Sequence, residues 1–242
     1  MSKFEKSEWK RDESAQEFID NADYYILERY RLFEIMKSLY NHFLKTSIKN
    51  RPTKVLDIGS GDGILTEQLL KIDETIEGTL IDGSSKMLEN ANQRLKSYPQ
   101  MKYVKTTFQE LVESGLTNKY DFIISSLAIH HLDLGQKKLL FKFIYSHLNE
   151  CGFFMNIDTI KASSTDLEEW YLKLWKEWIT ERETENENIE SFVHIPQKYE
   201  NNQDNHPDTL EEQLNSLKLI GFKNVDCYYK YGIFAIYGGQ NI

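Results

Sequence analysis

Five residues, Gly59-Ser60-Gly61-Asp62-Gly63, follow directly on the apolar run Val55-Leu56-Asp57-Ile58 and open a helical pattern with Ile64, Leu65, Leu69 and Leu70. Glycines in such a turn let the backbone bend tightly and approach a ligand with no Cβ in the way. A second apolar run, Thr79-Leu80-Ile81, ends in Asp82, 21 residues beyond Gly61. A carboxylate at that strand end is placed to accept both ribose hydroxyls of a nucleoside lying across the carboxyl edge of a sheet. The two features together are considerably more specific than either alone. Further along, His130-His131 follows the run Asp121 to Ser126, and Asp158 closes the run from Gly152. An imidazole and an acid at the same sheet edge are the ingredients of a general base near neutral pH.

The glycine spacing bears on which nucleoside is held. Dinucleotide folds usually carry GxGxxG, so that a helix N-terminus receives a pyrophosphate. Here the pattern is GxGxG, its third glycine one residue early and Asp62 inside the turn. A carboxylate there would repel a pyrophosphate but tolerate a zwitterionic amino-acid tail beside a sulfonium. S-adenosylmethionine (SAM) fits better than NAD.

The elements that must position these groups follow from periodicity. Residues 1–50 carry apolar positions at spacings of three and four, Phe18, Ile19, Ala22 and Tyr25, then Leu32, Ile35, Met36 and Leu39, and read as an N-terminal helical cap. From Lys54 short apolar runs alternate with amphipathic stretches: KVLDI, a helix over 64–72, TLID, a helix over 84–96, KYVK, DFIIS, a helix over 136–149, and GFFMNID. That alternation predicts a mostly parallel sheet covered on both faces over 51–160. An insert over 161–208 holds an aromatic helix, 165–182, and the loop-like stretches ETENENIE and YENNQDNHPD. Over 209–242, Thr209 and Glu212 form a capping box, Gly221 stops the helix, and two strands turn at Tyr231-Gly232.

A net charge of −9, from 29 basic and 38 acidic residues, opposes nucleic-acid binding. The charged start MSKFEKSEWKRDES and the lack of a long apolar stretch predict no membrane span and a cytoplasmic protein; a monomer or homodimer is expected, with no residue pattern choosing between them. Cys151 and Cys227, far apart and without CxxC spacing, read as core thiols; with no HExxH or dense His/Cys cluster, no metal is expected.

Four segments in order carry a resemblance to the class I SAM-dependent methyltransferases, in particular the bacterial small-molecule methyltransferase-domain group. They are Asp57 to Gly63; Ile81-Asp82-Gly83-Ser84 with Met87 and Leu88; Thr106-Thr107-Phe108-Gln109; and Asp121 to Leu132. The likeness covers 50–160 with all motifs, and 209–239 resembles the fold's last helix and two strands. It implies an α/β protein, a Rossmann-like αβα sandwich whose seven-stranded sheet is mostly parallel with an antiparallel last strand, with SAM as cofactor and a small-molecule acceptor. It also implies that Gly59, Ser60 and Gly61 line the methionyl part of SAM, that Asp82 holds the ribose, that Gly83 and Met87 border the adenine, and that Thr107 and Phe108 stand at the adenine edge, with Ser126 closing the fourth motif. Family members commonly have an acid where Thr107 stands, so the adenine amine contact passes to the Thr107 hydroxyl or Gln109. Asp57 either meets SAM through backbone-mediated contacts or caps the turn, and Met87 also falls on the buried stripe of its helix.

In some sugar and natural-product O-methyltransferases that this segment resembles, the first His of such a pair acts with an acid ending the fifth strand, here His130 and Asp158. The competing reading has His131 capping a helix and His130 only shaping the pocket. No Asn-Pro-Pro-Tyr sequence is present; Ser126-Leu127-Ala128-Ile129 stands in its place, against amide or exocyclic-amine acceptors. Oxygen is therefore slightly favoured. Trp170, Trp175 and Trp178 would hang over the donor site or pack as an ordinary helix stripe, Tyr24, Tyr25 and Arg29 would close the other side, and His194 and His206 read as surface loop residues. The alternatives are a non-catalytic SAM-binding sensor or partner protein, an NAD-dependent oxidoreductase of related topology, and aminopropyl transfer, whose acidic cluster is not evident.

Overall fold

The computed structural model describes residues 11–184 and 191–242. Residues 1–10 of the charged start and most of ETENENIE lie outside the described residues. In chain order the elements are α1 Asp12–Tyr25, α2 Arg29–Leu39 running into a π-helical turn at Tyr40–Lys45, β1 Lys54–Ile58, α3 Ile64–Leu70, β2 Glu77–Asp82, α4 Ser85–Arg94, β3 Lys102–Lys105, α5 Phe108–Ser114 and β4 Tyr120–Ser126. A 3₁₀ turn at Ile129–His131 follows, then α6 Leu134–His147, β5 Leu148–Thr159, α7 Thr165–Thr184, α8 Ile195–Asn201, α9 Leu210–Ile220, β6 Lys223–Tyr231 and β7 Phe234–Gln240.

The seven strands form one sheet in the order β3-β2-β1-β4-β5-β7-β6. Pairings are parallel from β3 to β5, and β7 lies antiparallel to both β5 and β6. The last strand is thus the antiparallel one, as expected. Alternation of side chains across the sheet feeds two cores. Val55, Phe122, Ile124, Phe153, Met155, Phe234 and Ile236 face one apolar layer, and Leu56, Ile123, Phe154, Ala235 and Tyr237 face the other. Helices on both faces make the three-layer αβα sandwich.

β1 pairs with β2 on one side and β4 on the other, so the chain reverses its winding there and opens a crevice at the carboxyl ends of both strands. Helices with unmistakable ends fall where the capping residues put them: Thr209–Glu212 opens α9 and Gly221 ends it. The hairpin turn sits at Gly232-Ile233, one residue later than expected, with Gly232 at φ +56° supplying the left-handed bend.

Two helices were not anticipated. α5 carries a Thr107–Glu110 capping box, a signal present in the sequence, whereas α8 runs through Tyr199–Asn201 of the stretch read as loop. Cys151 is exposed, at φ +61° near the start of β5, and so lies outside the core; Cys227 is partly covered. Among the described residues, no helix is long and apolar enough to cross a membrane.

Candidate active site

Three clefts meet at the carboxyl edge of the sheet. The largest, about 1010 Å³, is lined by Gly59, Gly61, Asp82, Gly83, Met87, Thr107, Phe108 and Ser126. A narrower one adds Asp57 and Ser60 and shares Gly59, Gly61 and Ser126 with the first. All ten residues assigned to the cofactor from sequence therefore border these two adjoining clefts.

The turn is built to leave that space open. Gly59 (φ +67°) and Gly61 (φ +54°) hold left-handed backbone that a side chain strains, and a Cβ on Gly59 would lie 2.5 Å from the Ala128 Cβ. A Cβ on Gly61 would meet nothing nearer than the Met87 Sδ at 3.9 Å, so any larger side chain there projects into the cleft. The loop is pinned to β2: Gly59 N and Ser60 N donate to the Ile81 carbonyl at 2.8 and 2.9 Å.

Asp82 is the second anchor. Its Oδ2 accepts from Gly61 N (2.9 Å) and its Oδ1 from Ser84 N (2.8 Å). Burial pushes the Asp82 carboxyl up, opposed by these backbone N–H donors. Each oxygen retains lone-pair capacity for a hydroxyl donor. Ser60 Oγ is buried with no partner in the protein, on the wall of the narrower cleft. A glycine cradle with an open mouth, an oriented carboxylate and an unpaired buried hydroxyl suit an adenosyl ligand with a polar tail.

Four expectations change. Asp62 turns to α4, where Arg94 donates Nε to the Asp62 carbonyl at 3.0 Å and pairs with its carboxylate. Its charge is thus neutralised by Arg94, so repulsion of a pyrophosphate no longer discriminates; the glycine spacing does. The Thr107 hydroxyl is engaged by Glu110, accepting from its N–H at 3.3 Å and donating to its carboxylate at 2.9 Å, which leaves Gln109 as the freer amide at that edge. His206 is no plain surface residue, since it lines the large cleft and its N–H donates to the His130 carbonyl at 2.8 Å. Of the three tryptophans, Trp175 is the one that lines these three clefts; Trp170 is exposed on the outside of α7 and Trp178 packs under Arg182.

Asp57 neither caps its own turn nor stands free. Its Oδ2 accepts from Thr66 Oγ1 on α3 at 2.8 Å, while Oδ1 is buried without a partner, and burial outweighs the Thr66 bond to raise the carboxyl to about 7. Arg29 borders the narrower cleft with its guanidinium 5.3 Å from the Phe33 ring centroid and ion-paired to Asp23 at 2.6 Å. Tyr24 stacks on Phe192.

The third cleft, about 790 Å³, opens on the other side of Leu127 and Phe18, two residues that line all three spaces. It brings together His130, His131, Thr159, Trp175, Tyr199 and Phe234. The Trp175 ring meets Phe234 and Tyr199 edge-on, and its Nε1 donates to the Tyr25 carbonyl at 2.6 Å. Leu127 holds φ +49°, an uncommon backbone state for a residue with a bulky side chain. Neither Leu127 nor Tyr199 was singled out from sequence: positive φ leaves no compositional trace at leucine, and Tyr199 lies in a polar run.

His130 and Asp158, 28 residues apart, meet directly: Nδ1 to Oδ1 is 2.6 Å, both groups buried. Burial pushes Asp158 up, but the charge and hydrogen bond of His130, with Lys137 behind, pull it net below the ordinary carboxylate range. Asp158 therefore stays ionised and fixes the imidazole. His131 does not cap α6, a task that Asp133 performs; its Nδ1 lies 3.3 Å from the Asp204 carbonyl.

Burial, aided by His130, pulls the His131 imidazole down to about 3. The unfolded chain titrates near ~6.5, so below that pH it binds a proton that the native state refuses, and stability falls as pH drops from about 6.5 toward 3. Urea unfolding should show a contribution of about 2 kcal/mol lost between pH 7.5 and 5 that a His131→Gln protein does not lose. Equal losses in both proteins would refute the assignment.

Residues 55–152 match the family model described as "Methyltransferase domain". A malonyl-(acyl-carrier protein) O-methyltransferase of Halalkalibacterium halodurans is 31% identical over 86 residues, 35% of this chain and 32% of that protein. A carboxy-S-adenosyl-L-methionine synthase of Nautilia profundicola is 22% identical over 76% of this chain and 75% of its own length. Among solved structures, an O-methyltransferase family 2 protein of Planctomyces limnophilus, complexed with apigenin, superposes with a TM-score of 0.63 at 16% identity, over 96% of this chain and 62% of that one. The match to the first relative thus spans about a third of its length, and the last likeness establishes a common fold.

Proposed function

We propose that this chain, whose residues 55–152 match the methyltransferase-domain family model, is a class I SAM-dependent methyltransferase that transfers a methyl group from SAM to an oxygen of a small-molecule acceptor. The observation that carries this reading is the adjacency of two clefts across Leu127 and Phe18, the glycine-and-Asp82 cleft on one side and the buried His130–Asp158 pair on the other.

Bound SAM supplies an electrophilic methyl on a sulfonium. In this reading Asp82 accepts the ribose hydroxyls, Gly59 and Gly61 admit the methionyl chain beside Ser60, and Arg29 at the same wall receives its carboxylate. Leu127 and Phe18 exclude water where the clefts join, so alignment of the acceptor oxygen supplies much of the rate. His130, with its proton on Nδ1 held by Asp158, offers Nε2 to the acceptor hydroxyl and takes its proton as the oxygen is alkylated. Trp175, Phe234 and Tyr199 form the apolar walls for the acceptor's body, and α1, α7 and α8 together act as its cover.

Calorimetry with S-adenosylhomocysteine tests the donor half, and a screen of hydroxylated and amine acceptors with labelled SAM tests the other. Binding of NADH in place of S-adenosylhomocysteine would overturn the reading, and turnover confined to amines would overturn the oxygen assignment.

A further inference from the structure

Asp158 has a second set of contacts that the proton transfer does not use. Asn156, two residues earlier on the same face of β5, donates Nδ2 to Asp158 Oδ2 at 3.2 Å and to the Tyr237 hydroxyl at 2.7 Å. Tyr237 lies opposite Asn156 in the β5–β7 register, and its hydroxyl donates to Gln213 Oε1 of α9 at 2.7 Å. Asn156, Asp158, Tyr237 and Gln213 are all fully buried.

The direction of every bond in this chain is forced. An ionised carboxylate only accepts, so the Asn156 amide must present its NH₂ to Asp158; that same nitrogen then occupies the Tyr237 oxygen, and the phenolic proton is left for Gln213. Burial first, then the charges of Asp158 and Asp208, push the Tyr237 hydroxyl well up, which keeps it a neutral donor. The chain ends at an amide and offers no route by which a proton reaches or leaves Asp158 from behind.

It is also costly as core. Asn156 Oδ1 and Gln213 Nε2 are buried with no partner, a penalty that apolar residues of similar shape would not incur. The other oxygen of Asp158 is committed to His130 and to the N–H of Thr159 at 2.9 Å.

We propose that Asn156, Tyr237 and Gln213 are positioning residues for the His130–Asp158 pair: a one-way hydrogen-bond chain that locks the carboxylate plane, so that the imidazole keeps its proton on Nδ1 and Nε2 remains the basic nitrogen. The proposal rests on the methyl-transfer reading for its purpose, though not for its geometry. Asp158 then acts as a fixed anion, and the proton taken by His130 leaves through the acceptor cleft. The charged and titratable groups beside the pair are His131, the neighbour of His130 in the 3₁₀ turn, and, from other elements, Lys137 of α6, Tyr199 of α8 and Tyr237 of β7.

The test is a spectroscopic one on the whole chain. A proton held in a short Nδ1–carboxylate bond resonates far downfield in ¹H NMR, and its assignment follows from its loss in Asp158→Asn. In Asn156→Leu, and in Tyr237→Phe, which keeps the ring and guards against a misfolded first variant, the resonance is expected to move upfield and to exchange with water at least about tenfold faster, while the Kd for S-adenosylhomocysteine changes less than about twofold. An unmoved resonance in both variants, with only the melting temperature lowered, would reduce the chain to ordinary core and overturn the proposal. So would a resonance that survives Asp158→Asn. Failure of wild type to bind S-adenosylhomocysteine would instead count against the methyl-transfer reading, and it is read by calorimetry alone.

Discussion

Gly61→Val is expected to cost at least a hundredfold in S-adenosylhomocysteine affinity, about 2.8 kcal/mol or more, in a protein that still folds. Two causes add. The backbone at φ +54° is unfavourable for a β-branched residue, and the Cγ atoms would occupy the mouth of the cleft that the missing Cβ leaves open toward Met87. The strain also pulls on the Gly61 N–H, which Asp82 uses as one of its two backbone anchors. Asp82→Ala should weaken binding by a different route, removing charge-assisted bonds of roughly 1.5 to 3 kcal/mol together with the tie between the glycine turn and β2. Calorimetry distinguishes them from a general loss of fold when paired with circular dichroism. Retention of wild-type affinity by Gly61→Val would place the ligand elsewhere.

His130→Ala and Asp158→Asn are expected to lower turnover by about a hundred- to ten-thousandfold with cofactor affinity nearly unchanged. Neither residue lines the glycine cleft, so the loss should appear in kcat and not in the KM for SAM. Asp158→Asn replaces an acceptor with an amide that can offer its NH₂ to Nδ1, which reverses the imidazole tautomer and takes the base from Nε2. The measurement is single-turnover methyl transfer to the best hydroxyl acceptor from the screen. Normal turnover in His130→Ala would leave alignment and desolvation as the source of rate and remove the base from the mechanism.

These two experiments probe parts of the site that were legible to different degrees. The glycine turn and Asp82 are close to strands whose alternation and glycine chemistry are local, so their convergence on one cleft could be read from residues 55–82 alone. His130 and Asp158 were legible as strand-end residues, because parallel strands deliver their last side chains to a common edge; their 2.6 Å contact needed the β4–β5 register. The insert was read least well. Trp170, Trp175 and Trp178 sit on one helix, and which of them turns inward depends on how α7 packs against α1 and the sheet, a contact between segments 150 residues apart, as Trp175 to Tyr25 makes plain. His206 and Tyr199 were hidden in a polar run whose composition says loop and whose path across the histidine pair is set by Lys137, buried at 0% exposure and bonded to the His206 carbonyl and Asp208.

The chain's own order of residues determined the sandwich, the glycine turn with its partner Asp82 and the candidacy of one imidazole and one acid, because periodicity, capping and glycine conformations are properties of neighbours along the backbone. Tertiary structure alone decided that Asp62 is neutralised by Arg94, that Leu127 and Phe18 line all three clefts, and that the Asn156 amide beside Asp158 is shared with Tyr237. Those outcomes are set by which distant side chains share a desolvated space, and burial makes each pairing there far stronger than any preference written in the local sequence.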